Sequence, residues 1–282
     1  MSSHPGFPLQ AGVDNYCVFG NPVSHSKSPQ IHQMFAQQCA QNLYYQAFEI
    51  ETACFSEALS QFQQQGGKGL NITVPFKGAA WDSVVHRSKR AEKAGAVNTI
   101  WFDENGESHG ETTDGTGLVR DLRSHGIQIE GKRILILGAG GAVRGVLAAL
   151  MDQNVRSVSI ANRTLSRAQD LATIYDRDGG IQAVDYGALK PNCADIIING
   201  TSASLDGELP PLKPEIAVGT SCYDMVYADK DTVFVTWAKS SGAKLAIDGL
   251  GMLVEQAAES FYIWRGIRPE TKPVIKILKQ KS

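Results

Sequence analysis

Two residues of this sequence, Lys77 and Asp114, have side chains suited to proton transfer. Lys77 ends the run Asn71-Ile72-Thr73-Val74-Pro75-Phe76-Lys77, in which polar side chains alternate along a strand and Pro75 can serve as the first residue of a helix. Lys77 is then expected in a first helical turn, where the helix dipole slightly disfavours an ammonium ion and so suits proton exchange. Taken by itself, this feature favours an ordinary surface lysine.

Three other polar residues have both a structural and a functional interpretation. Asp114 lies in Thr112-Thr113-Asp114-Gly115-Thr116-Gly117, just before a helical pattern, so it can be a helix N-cap. Ser28 stands immediately before Pro29 and can cap the next helix in the same way. Asn98 lies near the end of a predicted strand. Taken singly, these residues do not identify an active site.

A glycine-rich turn points to nucleotide binding. The run Gly138-Ala139-Gly140-Gly141-Ala142 directly follows the apolar strand Arg133-Ile134-Leu135-Ile136-Leu137 and opens a helix through Val146 to Met151. Glycines allow a tight turn and a close backbone approach, and the helix N-terminus offers free N–H groups to a pyrophosphate. The alternative is a glycine turn that only packs the strand against the helix. The strand–turn–helix context favours a dinucleotide site.

The residues after the second strand of this segment indicate which dinucleotide is bound. NAD enzymes usually place an Asp or Glu there, on the ribose hydroxyls. This sequence has Asn162-Arg163-Thr164, with Arg167 one turn later. Two guanidinium groups can hold a 2′-phosphate, with added hydrogen bonds from Asn162 and Thr164. NADP is therefore predicted, with NAD as the alternative; the arginines could also be a solvated helix start.

Alternating strand and helix patterns must position these residues. In the first part of the chain, strands are predicted at Tyr16–Phe19, Tyr44–Phe48, Gly69–Val74 and Ala96–Trp101, and helices at 28–39, 54–64 and 76–85. In the middle part, strands are predicted at 133–137, 157–161, 181–184, 195–199, 218–223 and 244–247. The first and fourth of these are nearly continuous in Ile and Leu, which predicts a doubly wound parallel sheet. A last helix, Met252–Trp264, is expected to return to the first part.

The bulk composition excludes several classes of protein. The 282 residues are 43% hydrophobic and 20% charged, an ordinary globular balance that favours two domains. A formal net charge of -2 leaves no basic excess, so neither nucleic acid nor a membrane is a predicted partner. The 5 cysteines are scattered, with no Cys-x-x-Cys pair and no histidine at ligand spacing. Reduced thiols, no metal and a cytoplasmic location are expected.

Taken in chain order, these segments resemble the shikimate dehydrogenase family. On the substrate side, the likeness lies in the runs 20–29, 71–77, 95–99 and Thr113-Asp114-Gly115. On the cofactor side, it lies in 138–142, 162–167, Tyr223-Asp224-Met225-Val226-Tyr227 and Asp248-Gly249-Leu250-Gly251-Met252-Leu253 with Gln256. The likeness covers about residues 16 to 278. It implies an N-terminal α/β substrate domain (1–114), a Rossmann-like NADP domain (115–248) and C-terminal helices (249–282) that pack back on the substrate domain.

The resemblance also implies roles for individual residues. Lys77 would transfer the proton and Asp114 would orient the substrate, so both are predicted to be catalytic. Ser26 and Ser28 would hold the substrate carboxylate. The residues implied to bond the ring hydroxyls are Thr73, Asn98, Asp114 and Gln256. Met225 and Gly249 would lie beside the nicotinamide, and Tyr227 at the mouth of the substrate site.

The reaction implied is the reversible, NADPH-dependent reduction of 3-dehydroshikimate to shikimate, in chorismate and aromatic amino acid biosynthesis, by a monomer or homodimer. One alternative is a quinate/shikimate dehydrogenase of broader substrate or NAD use. Another is a non-catalytic, nucleotide-sensing regulator on the same fold, although a sensor has no need for a proton carrier such as Lys77. The sequence departs from the family pattern at Thr112, Gly200 and Ser204, where asparagine, alanine and glycine are usual. These departures are expected to affect local loop shape and affinity, and not the class of reaction.

Overall fold

The computed structural model describes residues 6–175 and 180–280, which fold into two compact units. Within the described residues, the first unit holds the chain up to Asp114 together with Gln256–Val274. The second holds Gly115–Glu255 and the chain from Ile275 onward. Each unit has its own sheet and its own hydrophobic core.

The first unit is built on a mixed six-stranded sheet of order β2-β1-β3-β5-β6-β4. Its strands are β1 (Asp14–Gly20), β2 (Leu43–Glu49), β3 (Gly69–Ile72), β4 (His86–Arg87), β5 (Thr99–Phe102) and β6 (Ser108–Glu111). The strand β1 runs parallel to β2 and β3, whereas β5 is antiparallel to β3 and β6. The carboxyl end of β3 and the amino end of β5 therefore meet, which brings Asn71 opposite Thr99.

The helices of this unit are α1 (Ser28–Gln38), α2 (Phe55–Gln64), α3 (Lys77–Ser83) and α4 (Lys89–Ala94). The helix α2 forms because Phe55, Ala58, Leu59 and Phe62 recur at helical spacing and are all buried. The short helix α4 begins at a Ser88 cap and ends at Gly95 in the left-handed conformation. Local sequence signals thus set the bounds of these helices.

The second unit contains a parallel six-stranded sheet of order β12-β11-β10-β7-β8-β9. Its elements are α5 (Asp114–Ser124, which enters this unit at Gly115), β7 (Arg133–Leu137), α6 (Gly141–Met151), β8 (Ser157–Ala161), α7 (Leu165–Tyr175), β9 (Ile181–Val184), β10 (Ile196–Asn199), β11 (Ser221–Asp224), α8 (Val233–Ser240) and β12 (Leu245–Ile247). The Ile-rich strand β10 is buried along its whole length, as expected for a strand covered on both faces. The predicted doubly wound fold is confirmed.

Two helices end the described chain, α9 (Leu250–Arg265) and α10 (Thr271–Gln280). From Gln256 onward α9 belongs to the first unit, so the predicted return of the chain is confirmed. Residues from Ile275 onward belong to the second unit. Within the described ranges, each helix falls short of the combined length and hydropathy that a bilayer span requires.

Some predicted bounds differ from those of the structure. Pro75 is not the first residue of a helix, because Thr73 accepts a hydrogen bond from Phe76 N–H and forms a turn, after which α3 begins at Lys77. The strand predicted from Ala96 begins only at Thr99. The strand β6, Ser-His-Gly-Glu, was not predicted because it has no apolar alternation, and β4 is only 2 residues long.

His32, on the buried face of α1, is expected to make the free energy of unfolding depend on pH. Its ring stacks on Tyr45 at 4.2 Å between centroids, and burial lowers its pKa to about 3, against a smaller opposing effect of Asn71. Below an unfolded-state pKa of about 6.5, the unfolded chain binds a proton that the native chain excludes. The free energy of unfolding should therefore fall by about 1.4 kcal/mol per pH unit on acidification through this window.

In the variant H32F, this pH dependence of the free energy of unfolding is expected to disappear, because phenylalanine does not titrate. The apolar packing should be retained. Chemical denaturation at about pH 7 and about pH 5 would measure it. H86F, which replaces an exposed histidine of β4, is the matched control and should keep the wild-type slope. An unchanged slope in H32F would show that another group controls acid stability.

Candidate active site

Lys77 and Asp114 meet in the first unit as an ion pair. Lys77 is the first residue of α3, Asp114 is the first residue of α5, and 37 positions of sequence separate them. The Lys77 Nζ donates a hydrogen bond to Asp114 Oδ2 at 2.7 Å, and the two side chains are 21% and 10% exposed. Val97 N–H donates to the Lys77 carbonyl at 3.0 Å, which ties α3 to the segment before β5. A proton donor is thus held beside a carboxylate in a largely buried setting.

Asn98 binds the second oxygen of the same carboxylate. Its Nδ2 donates to Asp114 Oδ1 at 2.9 Å, while its Oδ1 accepts from Thr113 N–H at 2.8 Å. A backbone N–H can only donate, so it fixes which end of the Asn98 amide is the oxygen. The amide therefore faces Asp114 with its N–H, which donates to the carboxylate oxygen.

Gln256 and Thr73 were also predicted to be near the substrate. Gln256 Oε1 accepts from the Thr113 hydroxyl at 3.3 Å and lies 3.5 Å from Asn98 Nδ2. It therefore joins Lys77, Asp114 and Asn98 in one group. Thr73 lies at the end of β3, where its N–H donates to the Phe19 carbonyl at 2.9 Å.

Ser26 and Ser28 lie at the beginning of α1. The helix starts at Ser28, and the residue before it, Lys27, makes no side-chain cap. The Ser26 hydroxyl instead accepts a hydrogen bond from Ser28 N–H at 3.2 Å. The interpretation of Ser28 as the helix cap is therefore wrong: Ser28 is already the first residue of the helix, and its side chain is buried.

The glycine-rich turn in the second unit has the shape that a pyrophosphate needs. Gly138 has a φ of 101° and its N–H donates to the Ala161 carbonyl at 2.7 Å, so the backbone turns sharply after β7. Gly140 precedes α6, which begins at Gly141. A Cβ at Gly140 or Gly141 would meet nothing within 4 Å, so these residues leave open space at the helix N-terminus. The turn fits a dinucleotide.

The residues predicted to bind a 2′-phosphate lie at the end of β8. Asn162 Nδ2 donates to the Thr164 carbonyl at 2.8 Å, which closes the turn into α7. Arg163 and Arg167 are exposed, and within residues 6–175 and 180–280 neither guanidinium has an ion-pair partner. Two available cations beside this turn fit a phosphate.

Met225, Gly249 and Tyr227 lie beyond β11 in the second unit. Met225 N–H donates to the Asn199 carbonyl at 2.9 Å, and Gly249 N–H donates to the Val226 carbonyl at 3.1 Å. Tyr227 is half-buried, and burial raises the pKa of its phenol.

The packing around Met225 explains why glycine replaces the family's usual alanine at position 200. A Cβ on residue 200 would lie 3.2 Å from Met225 Sδ and 2.5 Å from Val143 Cγ2. Glycine at 200 permits this close packing.

A buried carboxylate, Asp224, was not predicted as a special residue. It ends β11 next to Asn199 of β10, whose Nδ2 donates to its Oδ1 at 3.0 Å. The hydroxyls of Ser204 and Thr232 donate to its Oδ2 at 2.8 and 2.6 Å. Burial raises the Asp224 pKa, and these hydrogen bonds oppose the effect. Serine at 204 thus contributes a side-chain bond that glycine could not provide.

Thr112, the third position at which the sequence departs from the family pattern, is buried. Its N–H donates to Glu111 Oε1 at 2.8 Å. Its hydroxyl has no hydrogen-bond partner among the residues that the structure describes. Nothing in the structure explains the choice of threonine here.

Comparisons with known proteins agree along most of the chain. Family models match it as "Shikimate dehydrogenase substrate binding domain" over residues 18–100, "Shikimate / quinate 5-dehydrogenase" over 121–206 and "Shikimate 5'-dehydrogenase C-terminal domain" over 249–279. The chain is 54% identical, over 269 residues, to the Shikimate dehydrogenase (NADP(+)) of Alkalilimnicola ehrlichii, with 95% of this chain and 99% of that protein covered.

Solved structures give the same result. The Ael1 enzyme from Pseudomonas putida is 42% identical with a TM-score of 0.89, covering 94% of this chain and 98% of that one. Shikimate 5-dehydrogenase from Thermus thermophilus, solved with NADP(H) and shikimate, is 30% identical with a TM-score of 0.85, covering 95% and 99%. The chain therefore belongs to the shikimate dehydrogenase family.

Proposed function

We propose that this protein catalyses the reversible, NADPH-dependent reduction of 3-dehydroshikimate to shikimate, a step of aromatic amino acid biosynthesis. The observation that carries the proposal is the Lys77–Asp114 pair with Asn98 on its second oxygen. A relative with 54% identity over nearly its full length, named Shikimate dehydrogenase (NADP(+)), supports the choice of substrate and cofactor.

Lys77 is the proton carrier in this proposal. NADPH, when bound, supplies the hydride that adds to the C3 ketone carbon. Negative charge then grows on the ketone oxygen, and the Lys77 ammonium can hydrogen-bond that oxygen and protonate it. In the oxidative direction, the same nitrogen, as the neutral amine, accepts the hydroxyl proton and becomes an ammonium.

Asp114 keeps the Lys77 ammonium group in position. Its Oδ2 accepts the Lys77 hydrogen bond, while Asn98 fixes its Oδ1, so the carboxylate cannot rotate freely.

The remaining polar residues are assigned to binding. Ser26 and Ser28 would hold the substrate carboxylate with hydroxyl groups at the start of α1, and Thr73, Asn98 and Gln256 would bond the ring hydroxyls. Tyr227 is assigned to the mouth of the substrate site. The residues assigned to the cofactor are Gly138, Ala139, Gly140, Gly141, Ala142, Asn162, Arg163, Thr164, Arg167, Met225 and Gly249.

A four-way assay tests the proposal. Purified protein is supplied with shikimate or quinate, each with NADP or NAD, and reduced nicotinamide is followed by its absorbance. Turnover of shikimate with NADP is the expected result. Preference for quinate or for NAD would favour the broader dehydrogenase, and NADP binding without turnover of either acid would favour a nucleotide-sensing regulator.

S28A tests the assignment to the carboxylate. Because Ser28 is not the helix cap, loss of its hydroxyl should raise KM for shikimate about tenfold, the effect of one hydrogen bond to a charged group, with little change in Tm. S24A, at an exposed serine of the same loop, should match the wild type. A drop in Tm with an unchanged KM would assign Ser28 to structure alone.

We also propose a cytoplasmic location, a monomer or homodimer, and no nucleic acid partner. The 5 free cysteines support the location, because disulfides are rare in the reducing cytoplasm. The net charge of -2 argues against binding to nucleic acid. Light scattering after gel filtration would determine the oligomeric state.

A further inference from the structure

Ser260 is a buried hydroxyl on α9, one helical turn after Gln256. Its Oγ lies 2.8 Å from Thr99 Oγ1, 2.9 Å from Asn71 Nδ2 and 3.3 Å from Thr113 Oγ1. The residues Asn71, Thr99 and Thr113 come from 147 to 189 positions earlier in the chain. One hydroxyl thus joins side chains from three separate segments of the first unit.

The directions of these hydrogen bonds follow from the donors available. Thr99 has a single hydroxyl proton and donates it to Asn98 Oδ1 at 3.0 Å. Thr99 Oγ1 then accepts from the Asn71 amide at 3.2 Å, and the same amide nitrogen donates to Ser260 Oγ at 2.9 Å. The Ser260 hydroxyl lies within donating distance of both Thr99 Oγ1 and the Gln256 carbonyl, at 2.8 and 3.1 Å. At the far end, the Tyr45 hydroxyl donates to Asn71 Oδ1 at 2.8 Å.

The result is a connected chain of hydrogen bonds that ends at the Asp114 carboxylate. It runs from Tyr45 through Asn71, Ser260, Thr99 and Asn98, and every one of these residues is buried. In such a chain each bond polarises the next and strengthens it. The final bond, from Asn98 Nδ2 to Asp114 Oδ1 at 2.9 Å, is the one that fixes the carboxylate beside Lys77.

We propose that Ser260 is a positioning residue for the reaction: its hydroxyl contacts Asn71, Thr99 and Thr113 together, and so supports the two threonine hydroxyls that hold the Asn98 amide against Asp114. The inference rests on the proposed function, because it assigns Ser260 to the same Lys77–Asp114 centre. Ser260 itself makes no bond to Lys77 or Asp114 among the described residues, so its effect passes through Asn98.

Removal of the hydroxyl is the test. In S260A the Asn71 amide loses its nearest acceptor, and the Thr99 and Thr113 hydroxyls each lose a hydrogen-bond partner, so the Asn98 amide that they contact is held less firmly. We expect kcat with shikimate to fall about tenfold, as for one lost buried hydrogen bond, while KM for NADP stays within about twofold of wild type. S108A removes a buried hydroxyl of β6 that accepts from Val85 N–H, and should keep wild-type kcat.

A double-mutant cycle separates positioning from general structural damage. If Ser260 acts through Asn98, S260A should lower kcat by less than about twofold in an N98A background. If the two residues act independently, the fold-losses in kcat of the two single variants should multiply. Circular dichroism and Tm establish that each variant is folded. If S260A does not fold, S260C keeps the side-chain volume and gives the same comparison.

The outcomes distinguish the two proposals. Two results with an active wild type would overturn the role of Ser260 and leave the proposed function in place. One is a kcat for S260A equal to that of S108A. The other is a full tenfold loss of kcat when S260A is added to N98A. A wild type that binds NADP yet does not turn over shikimate would overturn the proposed function and this inference with it.

Discussion

Replacement of Lys77 by alanine is expected to lower kcat for shikimate oxidation by at least about 100-fold, the range that general acid–base catalysis supplies. The ammonium is the group in contact with Asp114 Oδ2, and alanine has no atom that can carry a proton there. KM for NADP should change little, because the cofactor residues lie elsewhere in the chain. Steady-state kinetics with each substrate varied in turn would measure both quantities.

The matched control for K77A is K89A. Lys89 is also the first residue of a short helix, α4, but it is exposed. Both variants should have the far-ultraviolet circular dichroism of the wild type. Near-normal turnover by folded K77A would contradict its assigned role, and an equal loss in K89A would point to a general effect of helix starts.

R163A is expected to weaken NADPH binding about 10- to 100-fold, the loss of one or two charge-assisted hydrogen bonds, and to leave NADH binding nearly unchanged. The reason is that only NADPH carries the 2′-phosphate. Fluorescence titration of each nucleotide measures binding without relying on turnover, and KM values from the assay provide a second measure.

R156A is the control for this prediction. Arg156 is an exposed arginine just before β8, at the opposite end of the strand from Arg163. It carries the same charge, so its removal tests whether overall charge alone affects nucleotide binding. Equal losses of NADPH and NADH in R163A would count against the 2′-phosphate assignment.

Much of the fold was predictable because its signals are local. The Ile-rich strands β7 and β10 predict burial on both faces, and the turn from Gly138 to Gly141 predicts the start of α6. Short polar elements such as β6 were missed, because neighbouring strands rather than their own residues stabilise them. The same reasoning made Pro75 a helix start, whereas a hydrogen-bonded turn delays α3 to Lys77.

The candidate site, like the fold, was predictable from the sequence only in part. By itself the sequence determined the family, the parallel nucleotide-binding sheet and the types of the reacting side chains, because these follow from motifs of adjacent residues. Only the tertiary structure decided that Lys77 contacts Asp114, that the Asn98 amide faces it, and that Ser260 supports that amide. Hydrogen bonds between residues up to 189 positions apart depend on how strands and helices pack, and no local pattern records that packing.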